Sequence, residues 1–249
     1  MGRVTHNALH NFSGGINSAN SSRTNAVPFL HPVQQGWKVV YEDFNDKLSF
    51  AADSAIYEFT ATSSGTATVS TGGVLFDNAS DADNAGAQVQ AITPTIIPSA
   101  NTKKFYLETQ MTATAATMAS TEFFVGISAD QGTTIGDFVA ADGLSWAVDD
   151  CFGIGKLDAE TSMSFIARQS DVEQTVSFGS NPTTATSQVW GVYYDGTNYK
   201  LYLDGTEVAD TPKTVFNDDA AMGISVLLRS GAGETQNLLV NYILFGYEI

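Results

Sequence analysis

The stretch 187–212 constrains the fold more than any other part of this sequence. It reads SQVWGVYYDGTNYKLYLDGTEVADTP, and apolar and polar residues alternate on both sides of Asp195-Gly196 and Asp204-Gly205. An Asp-Gly pair between two alternating runs is a strong hairpin signal, because both residues tolerate the positive φ of a tight turn. The stretch therefore predicts three consecutive antiparallel strands.

The same alternation of apolar and polar residues between turns begins at Trp37 and continues along the rest of the sequence. KKFYLETQMTATA places Phe105, Leu107, Thr109 and Met111 on one face, and TSMSFIARQ followed by EQTVSFGS predicts a hairpin. Turn residues recur about every 8–12 positions, and no apolar pattern keeps a period of 3.6 over a dozen residues. Many short strands with this spacing predict an all-β sandwich.

Residues 1–36 have a different composition. They contain no sustained period, the glycine pair Gly14-Gly15, and Arg3 and Arg23 but no acidic residue, which gives this segment a charge of +2. The remaining residues then carry 9 basic and 27 acidic side chains, a charge of −18. We therefore predict two parts: an extended N-terminal arm, 1–36, and a β-sandwich domain, 37–249.

The net charge of −16 argues against two classes of partner. An acidic body repels nucleic-acid phosphates and anionic membrane surfaces, so we expect neither nucleic acid nor membrane as a ligand. Cys151 is the single cysteine, which leaves no intramolecular disulfide. No apolar segment is typical of a signal peptide, and we expect a protein made in a cytoplasm without a cofactor.

Three segments carry a family resemblance. WKVVYEDFND, VWGVYYDGTNYKLYLDGTEVADTP and LLVNYILFGYE resemble the opening strand, the late meander and the closing strand of concanavalin A-like, LamG-type jelly rolls. The resemblance implies two antiparallel sheets packed as a jelly-roll β-sandwich, with the closing strand beside the opening one.

The layout of arm and body carries a second resemblance. A polar arm on an acidic, cysteine-poor β-sandwich is similar to the head decoration (cement) proteins of tailed bacteriophages. This implies a structural virion protein, made in the host cytoplasm, that stabilises the outer capsid surface by binding the major capsid protein, and a homo-oligomer, for which we expect a trimer. Six arm residues would then contact the capsid: Arg3, Phe12, Ile16, Arg23, Phe29 and Leu30.

A lectin-like function is the alternative. Carbohydrate-binding sandwiches stack sugars on exposed aromatic rings, and a module of this kind would belong to a phage tail, a fibre or a bacterial surface protein. Trp146, in the acid-flanked segment DGLSWAVDD, is the candidate platform. Trp190, Tyr193, Tyr194 and Tyr199 are weaker candidates, because most of them occupy alternating strand positions where core packing is the commoner role.

The residues give little support to catalysis. His6, His10 and His31 all lie in the arm, so the body has no histidine to activate a nucleophile. Cys151 follows two acids, which raise the pKa of a thiol. Laminarinase-like relatives carry Glu-x-Asp-x-x-Glu or Glu-x-Asp-x-Glu on one strand, and neither pattern occurs here. We predict that the protein is not an enzyme.

One acidic segment is a candidate cation site. DNASDADNAG offers Asp77, Asp81 and Asp83 at spacings that can wrap a hard cation. Ala85 and Ile92 stand where a calcium loop of the EF-hand type needs an oxygen ligand. We therefore predict no metal, with solvated loop acids as the simpler interpretation.

Overall fold

The structure is a computed structural model, and it describes most of the chain after the arm. The described residues are 37–44, 57–63, 65–70, 72–78, 83–92, 96, 98, 104–113, 120–129, 138–140, 142–158, 160–216, 220–231 and 236–248. The arm, with all six of its proposed contact residues, lies outside them. Every regular element among the described residues is a strand, so none of them forms a helix that could cross a membrane.

Fifteen strands follow one another along the described chain. They are β1 (Trp37–Glu42), β2 (Tyr57–Thr62), β3 (Gly65–Ser70), β4 (Gly73–Asn78), β5 (Ala85–Ala91), β6 (Phe105–Ala113), β7 (Thr121–Ser128), β8 (Cys151–Lys156), β9 (Ser164–Gln169), β10 (Val172–Ser177), β11 (Ser187–Tyr194), β12 (Asn198–Leu203), β13 (Thr206–Pro212), β14 (Gly223–Ser230) and β15 (Gln236–Glu248).

The strands form two antiparallel sheets. The eight-stranded sheet has the order β13-β12-β11-β6-β15-β4-β3, and β1 pairs with the far half of β15. The seven-stranded sheet has the order β10-β9-β8-β7-β14-β5-β2. This is the concanavalin A-like jelly-roll sandwich that the sequence predicts, and the closing strand β15 does lie beside the opening strand β1.

The turn chemistry of the C-terminal meander is also confirmed. Asp204 and Gly205 join β12 to β13 with φ values of 48° and 78°, as a tight hairpin turn requires. Gly196, in the turn between β11 and β12, has φ 103°. The predicted hairpin of β9 and β10 forms as well, and Ser170 and Asp171 take positive φ there without a glycine.

Aromatic side chains fill the space between the two sheets. Phe105 of β6 lies at the centre, with its ring centroid 4.9 Å from that of Phe152 on the facing sheet and 5.5 Å from that of Phe245 on β15. Trp190, fully buried, packs edge-on against Phe178 at 5.0 Å. The inward positions expected for β6 are therefore correct, because Phe105, Leu107, Thr109 and Met111 are all buried at this interface.

Replacing the central ring tests this arrangement. We expect Phe105→Ala to lower the free energy of unfolding by about 3–5 kcal/mol, because the cavity would lie between several rings that cannot all close it. Val172→Ala, at a side chain that is 60% exposed, is the matched control and should change the free energy by less than about 0.5 kcal/mol. Denaturant unfolding followed by fluorescence measures both, and equal effects would contradict the assigned core.

Candidate functional site

Residues 138–140 and 142–150, the covering segment, lie over the middle of the outer face of the seven-stranded sheet. Gly153 and Gly155 of β8 leave this part of the face without side chains, and aromatic rings occupy the space. A Cβ atom at Gly153 would lie 2.1 Å from the ring of Phe124, and one at Gly155 would lie 3.0 Å from the ring of Trp146. The rings of Phe124 and Phe138 are 4.6 Å apart. A second apolar cluster therefore fills the middle of this face.

Two arginines hold the covering segment in place. Arg229 donates from Nη1 to the carbonyl of Val139 at 3.1 Å and from Nη2 to the carbonyl of Ala140 at 2.7 Å. Its Nε binds Oε2 of Glu122 at 2.9 Å, and both side chains are buried. Arg168 donates to the carbonyl of Trp146. Both arginines thus bind backbone oxygens of this segment and join it to the sheet below.

Burial also shifts the pKa values of two titratable groups next to this cluster. It raises the pKa of the Glu122 carboxyl, although the hydrogen bond and the charge of Arg229 act in the opposite direction. It raises the pKa of the Cys151 thiol, against the charge of Arg168, and the thiol is fully buried. Cys151 is thus a small core residue, and a buried, protonated thiol is a poor nucleophile.

Trp146 does not offer the sugar platform that the sequence suggested. Its ring is 4% exposed and packs edge-on against Phe124, at a centroid distance of 5.8 Å. The flanking acids that made it look like a surface residue lie on the outside of the segment, while the ring turns inward. Trp190, Tyr194 and Tyr199 are buried in the main core, as their strand positions indicated.

The outer face of the eight-stranded sheet has a different chemistry. Four tyrosines and a leucine form a cluster there, which we call the tyrosine face: Tyr106, Tyr193, Tyr202, Tyr242 and Leu244. The strand register explains the cluster, because Tyr106 lies opposite Tyr193 on β11 and opposite Gly246 on β15. A Cβ atom at Gly246 would lie 2.4 Å from the ring of Tyr106, so that ring rests on the glycine.

Carboxylates accompany the phenols on this face. Tyr242 donates to Oε1 of Glu108 at 2.6 Å, and Tyr202 donates to Oε2 of Glu207 at 3.1 Å. Burial, and then the charge of Glu207, raises the pKa of Tyr202. Burial raises the pKa of Tyr41, on β1, to about 12, with further contributions from Asp43, Glu42 and Glu108. Tyr41 and Tyr202 therefore stay protonated at neutral pH, and Tyr202 donates its hydrogen bond to Glu207 in that state.

A group of polar side chains borders the tyrosine face on β12, β13 and the turn before β12. We call it the polar rim, and it consists of Asp195, Asn198, Lys200, Glu207 and Asp210. Lys200 Nζ lies 3.2 Å from Oδ2 of Asp195, and Nδ2 of Asn198 donates to Oδ1 of Asp210 at 2.6 Å. Lys200 pairs in register with Tyr193 on one side and with Asp210 on the other, which joins the rim to the tyrosines.

The turn at Asp195 fixes the geometry of the rim. Oδ1 of Asp195 accepts the backbone N–H groups of Thr197 and Asn198, both at 2.9 Å. Partial burial alone would raise the pKa of this carboxyl, but these two N–H groups and the ammonium of Lys200 outweigh it and hold the pKa below its ordinary value. In return, the hydrogen bond to Asp195 raises the pKa of Lys200.

The sequence pattern indicated only part of this site. Tyr193 was among the candidate aromatic residues, but Tyr106, Tyr202, Tyr242 and the rim were not. The alternation in NYKLYL was the available signal, because it sets Asn198, Lys200 and Tyr202 on the face opposite to the buried Tyr199 and Leu201. Among the described residues, no group of three or more His, Cys, Asp or Glu side chains could hold a metal ion.

Comparison with known proteins shows the fold. No family model and no curated protein sequence matches this chain. Among solved structures, the carbohydrate recognition domain of Emp47p is 10% identical with a TM-score of 0.57, and the match covers 87% of this chain and 99% of that one. Peanut lectin is 15% identical with a TM-score of 0.56, and the match covers 84% and 97%.

A glycosidase structure matches equally well. The laminarinase catalytic domain from Thermotoga maritima is 12% identical with a TM-score of 0.55, and the match covers 86% of this chain and 100% of that one. Lectins and glycoside hydrolases thus share this architecture, and identities this low carry the fold and no activity. The fold class is a concanavalin A-like, lectin-type jelly roll.

The burial of Trp146 has a measurable consequence. We expect Trp146→Ala to lower the free energy of unfolding by about 3–5 kcal/mol, because the ring fills the space above Gly155. Leu144→Ala, two residues away at a side chain that is 61% exposed, should leave stability within about 0.5 kcal/mol of the unmodified protein. Thermal and denaturant unfolding compare the two variants, and a fully stable Trp146→Ala protein would contradict the inward position of the ring.

The depressed pKa of Asp195 predicts a pH dependence. A carboxyl with a lowered folded pKa stabilises the protein fully above its unfolded pKa of about 3.9, and loses that effect as the pH falls through the folded pKa. We expect Asp195→Asn to cost about 1 kcal/mol at pH 6, and the difference to shrink below about pH 4. Urea unfolding at several pH values measures this, with the exposed Asp149→Asn as control. A difference that grows on acidification would refute it.

Proposed function

We propose that this protein is a lectin-like carbohydrate-binding domain that acts without catalysis and holds its glycan at the polar rim. The observation that carries the proposal is the rim itself. It places carboxylate, amide and ammonium groups within hydrogen-bonding distance of one another at the border of the eight-stranded sheet's outer face. Sugar hydroxyls are recognised by such planar polar groups.

The comparisons support a carbohydrate ligand without assigning one. Two of the three structures described above are named as a carbohydrate recognition domain and a lectin, and the third is a glycoside hydrolase. A binding role is favoured over hydrolysis because the paired-carboxylate strand motif is absent from the sequence.

The charge of the rim limits the class of glycan. Three carboxylates, those of Asp195, Glu207 and Asp210, surround the single ammonium of Lys200, and the whole chain carries −16. Uronic-acid or sulfated polysaccharides would be repelled by this surface, because like charges at short range disfavour association. We therefore propose a neutral glycan as the ligand.

Substitutions at the rim test the proposal. The unmodified protein should bind at least one neutral glycan on an array, and Asn198→Ala should weaken that binding about 10-fold or more, since it removes an amide that orients Asp210. Glu173→Gln, at an exposed acid on the other sheet, is the control and should bind normally.

Titration calorimetry with the best glycan from the array gives the affinities. If Asn198→Ala and Asp210→Ala both leave the glycan affinity unchanged, the glycan does not bind at the rim. An array without any neutral glycan bound would contradict the function itself.

The decoration hypothesis stays a prediction. None of the three structures described above is a virion protein, so capsid binding, the major capsid protein as partner, the trimer and the virion location rest on the sequence resemblance alone. Deleting residues 1–35 and measuring occupancy on purified heads tests it, and unchanged occupancy would overturn the anchoring role of the arm.

A further inference from the structure

The tyrosine face is buried, although no described strand lies over it. Tyr106 is 1% exposed, and Glu108, at the centre of the face, is fully buried. The side chains of the face form a cluster separate from the main core, which lies between the two sheets. Within the described ranges, this layer of phenols has no third layer of strands above it, so its burial needs another explanation.

The N-terminal arm enters the fold at the edge of this face. Its last residue precedes β1, and Trp37 pairs in register with Glu248 on β15. Val39 of β1 packs against the tyrosine cluster, and the rings of Tyr41 and Tyr242 are 5.8 Å apart. The first described strand therefore already belongs to the face, and the preceding residues start from its border.

The arm and the face are complementary in charge. The arm carries +2 and no acidic residue, whereas the rest of the chain carries −18. The face contributes the carboxylate of Glu108 at its centre and that of Glu207 at its far side. A segment without acids can lie on these carboxylates without like-charge repulsion, and Arg3 and Arg23 can approach them favourably.

The arm also has the apolar side chains that such a face can bury. Leu9, Phe12, Ile16, Phe29 and Leu30 are spread among serines, asparagines and glycines. Each large apolar side chain that is fully buried contributes about 1.5–3 kcal/mol, which can offset the conformational entropy of ordering the arm.

From burial, position, charge and composition together, we propose that the arm, residues 1–36, docks on the tyrosine face of its own chain. The distance is short, because the five strands from β1 to β12 span about 19 Å at a spacing of about 4.8 Å. Six or seven extended residues reach that far at about 3.3 Å each. Attachment at Trp37 keeps the arm at a high effective concentration near the face, which favours docking within one chain. The face and the rim share Glu207, so the tests below follow arm docking without any glycan and separate it from the glycan site.

Photo-crosslinking of the full chain tests the occupant directly. A benzophenone amino acid in place of Phe29 should form intramolecular crosslinks to the peptides 104–113, 187–203 or 236–248, which carry the tyrosine face. The same probe in place of Phe59, an exposed position on β2 of the other sheet, is the control and should not label the outward-facing tyrosines of these peptides. Crosslinks from position 29 only to the seven-stranded sheet, or only between two chains, would overturn the proposal.

Tyrosine nitration gives a second measurement on the folded full chain. In Phe29→Ala/Leu30→Ala, nitration of Tyr106 and Tyr193 should rise about 10-fold or more, because the docked arm no longer shields them. Tyr199 in the main core should stay protected and so reports that the variant is folded. Ser21→Ala/Ser22→Ala, also in the arm, is the matched control and should leave nitration unchanged. Equal nitration of Tyr106 in both variants would contradict arm docking.

Discussion

The layer of aromatic side chains between the sheets is the constraint on which the rest of this structure depends. Phe105 contacts rings from both sheets, and its neighbours on β6 alternate between the core and the outer face. Once Phe105 faces inward, Tyr106 and Glu108 must face outward, because successive side chains of a strand point to opposite sides. The core and the tyrosine face are thus two results of the same register.

Glycine has a related role on both outer faces. At Gly153 and at Gly246, the absence of a side chain leaves room for an aromatic ring from a neighbouring strand. On the seven-stranded sheet this seats Phe124 below the covering segment, and on the eight-stranded sheet it seats Tyr106 beside Glu108. Packing of a ring against glycine thus occurs in the buried apolar cluster on the seven-stranded sheet and in the layer of phenols and carboxylates on the eight-stranded sheet.

The sequence predicted the sandwich well and the candidate site poorly, for physical reasons that particular residues illustrate. Alternation and Asp-Gly turns are local signals, and they located β11, β12 and β13 and the inward face of β6 correctly. Trp146 lies in an irregular segment without any period, so its direction depends on a ring-sized space above Gly155 that only the assembled sheet creates. The pairing of Glu122 with Arg229 joins residues far apart in sequence, which no local pattern reveals.

Strand β15 brings together parts of the chain that are made at very different times. Its first half pairs with β4 and its second half pairs with β1. Its other side pairs with β6 along both halves, with a register shift between Val240 and Tyr242. During synthesis, β1 and β4 therefore leave the ribosome long before the strand that joins them exists. Their unpaired edges stay open to other nascent chains over that interval, so we expect the yield of folded protein to depend on translation speed and on chaperone access.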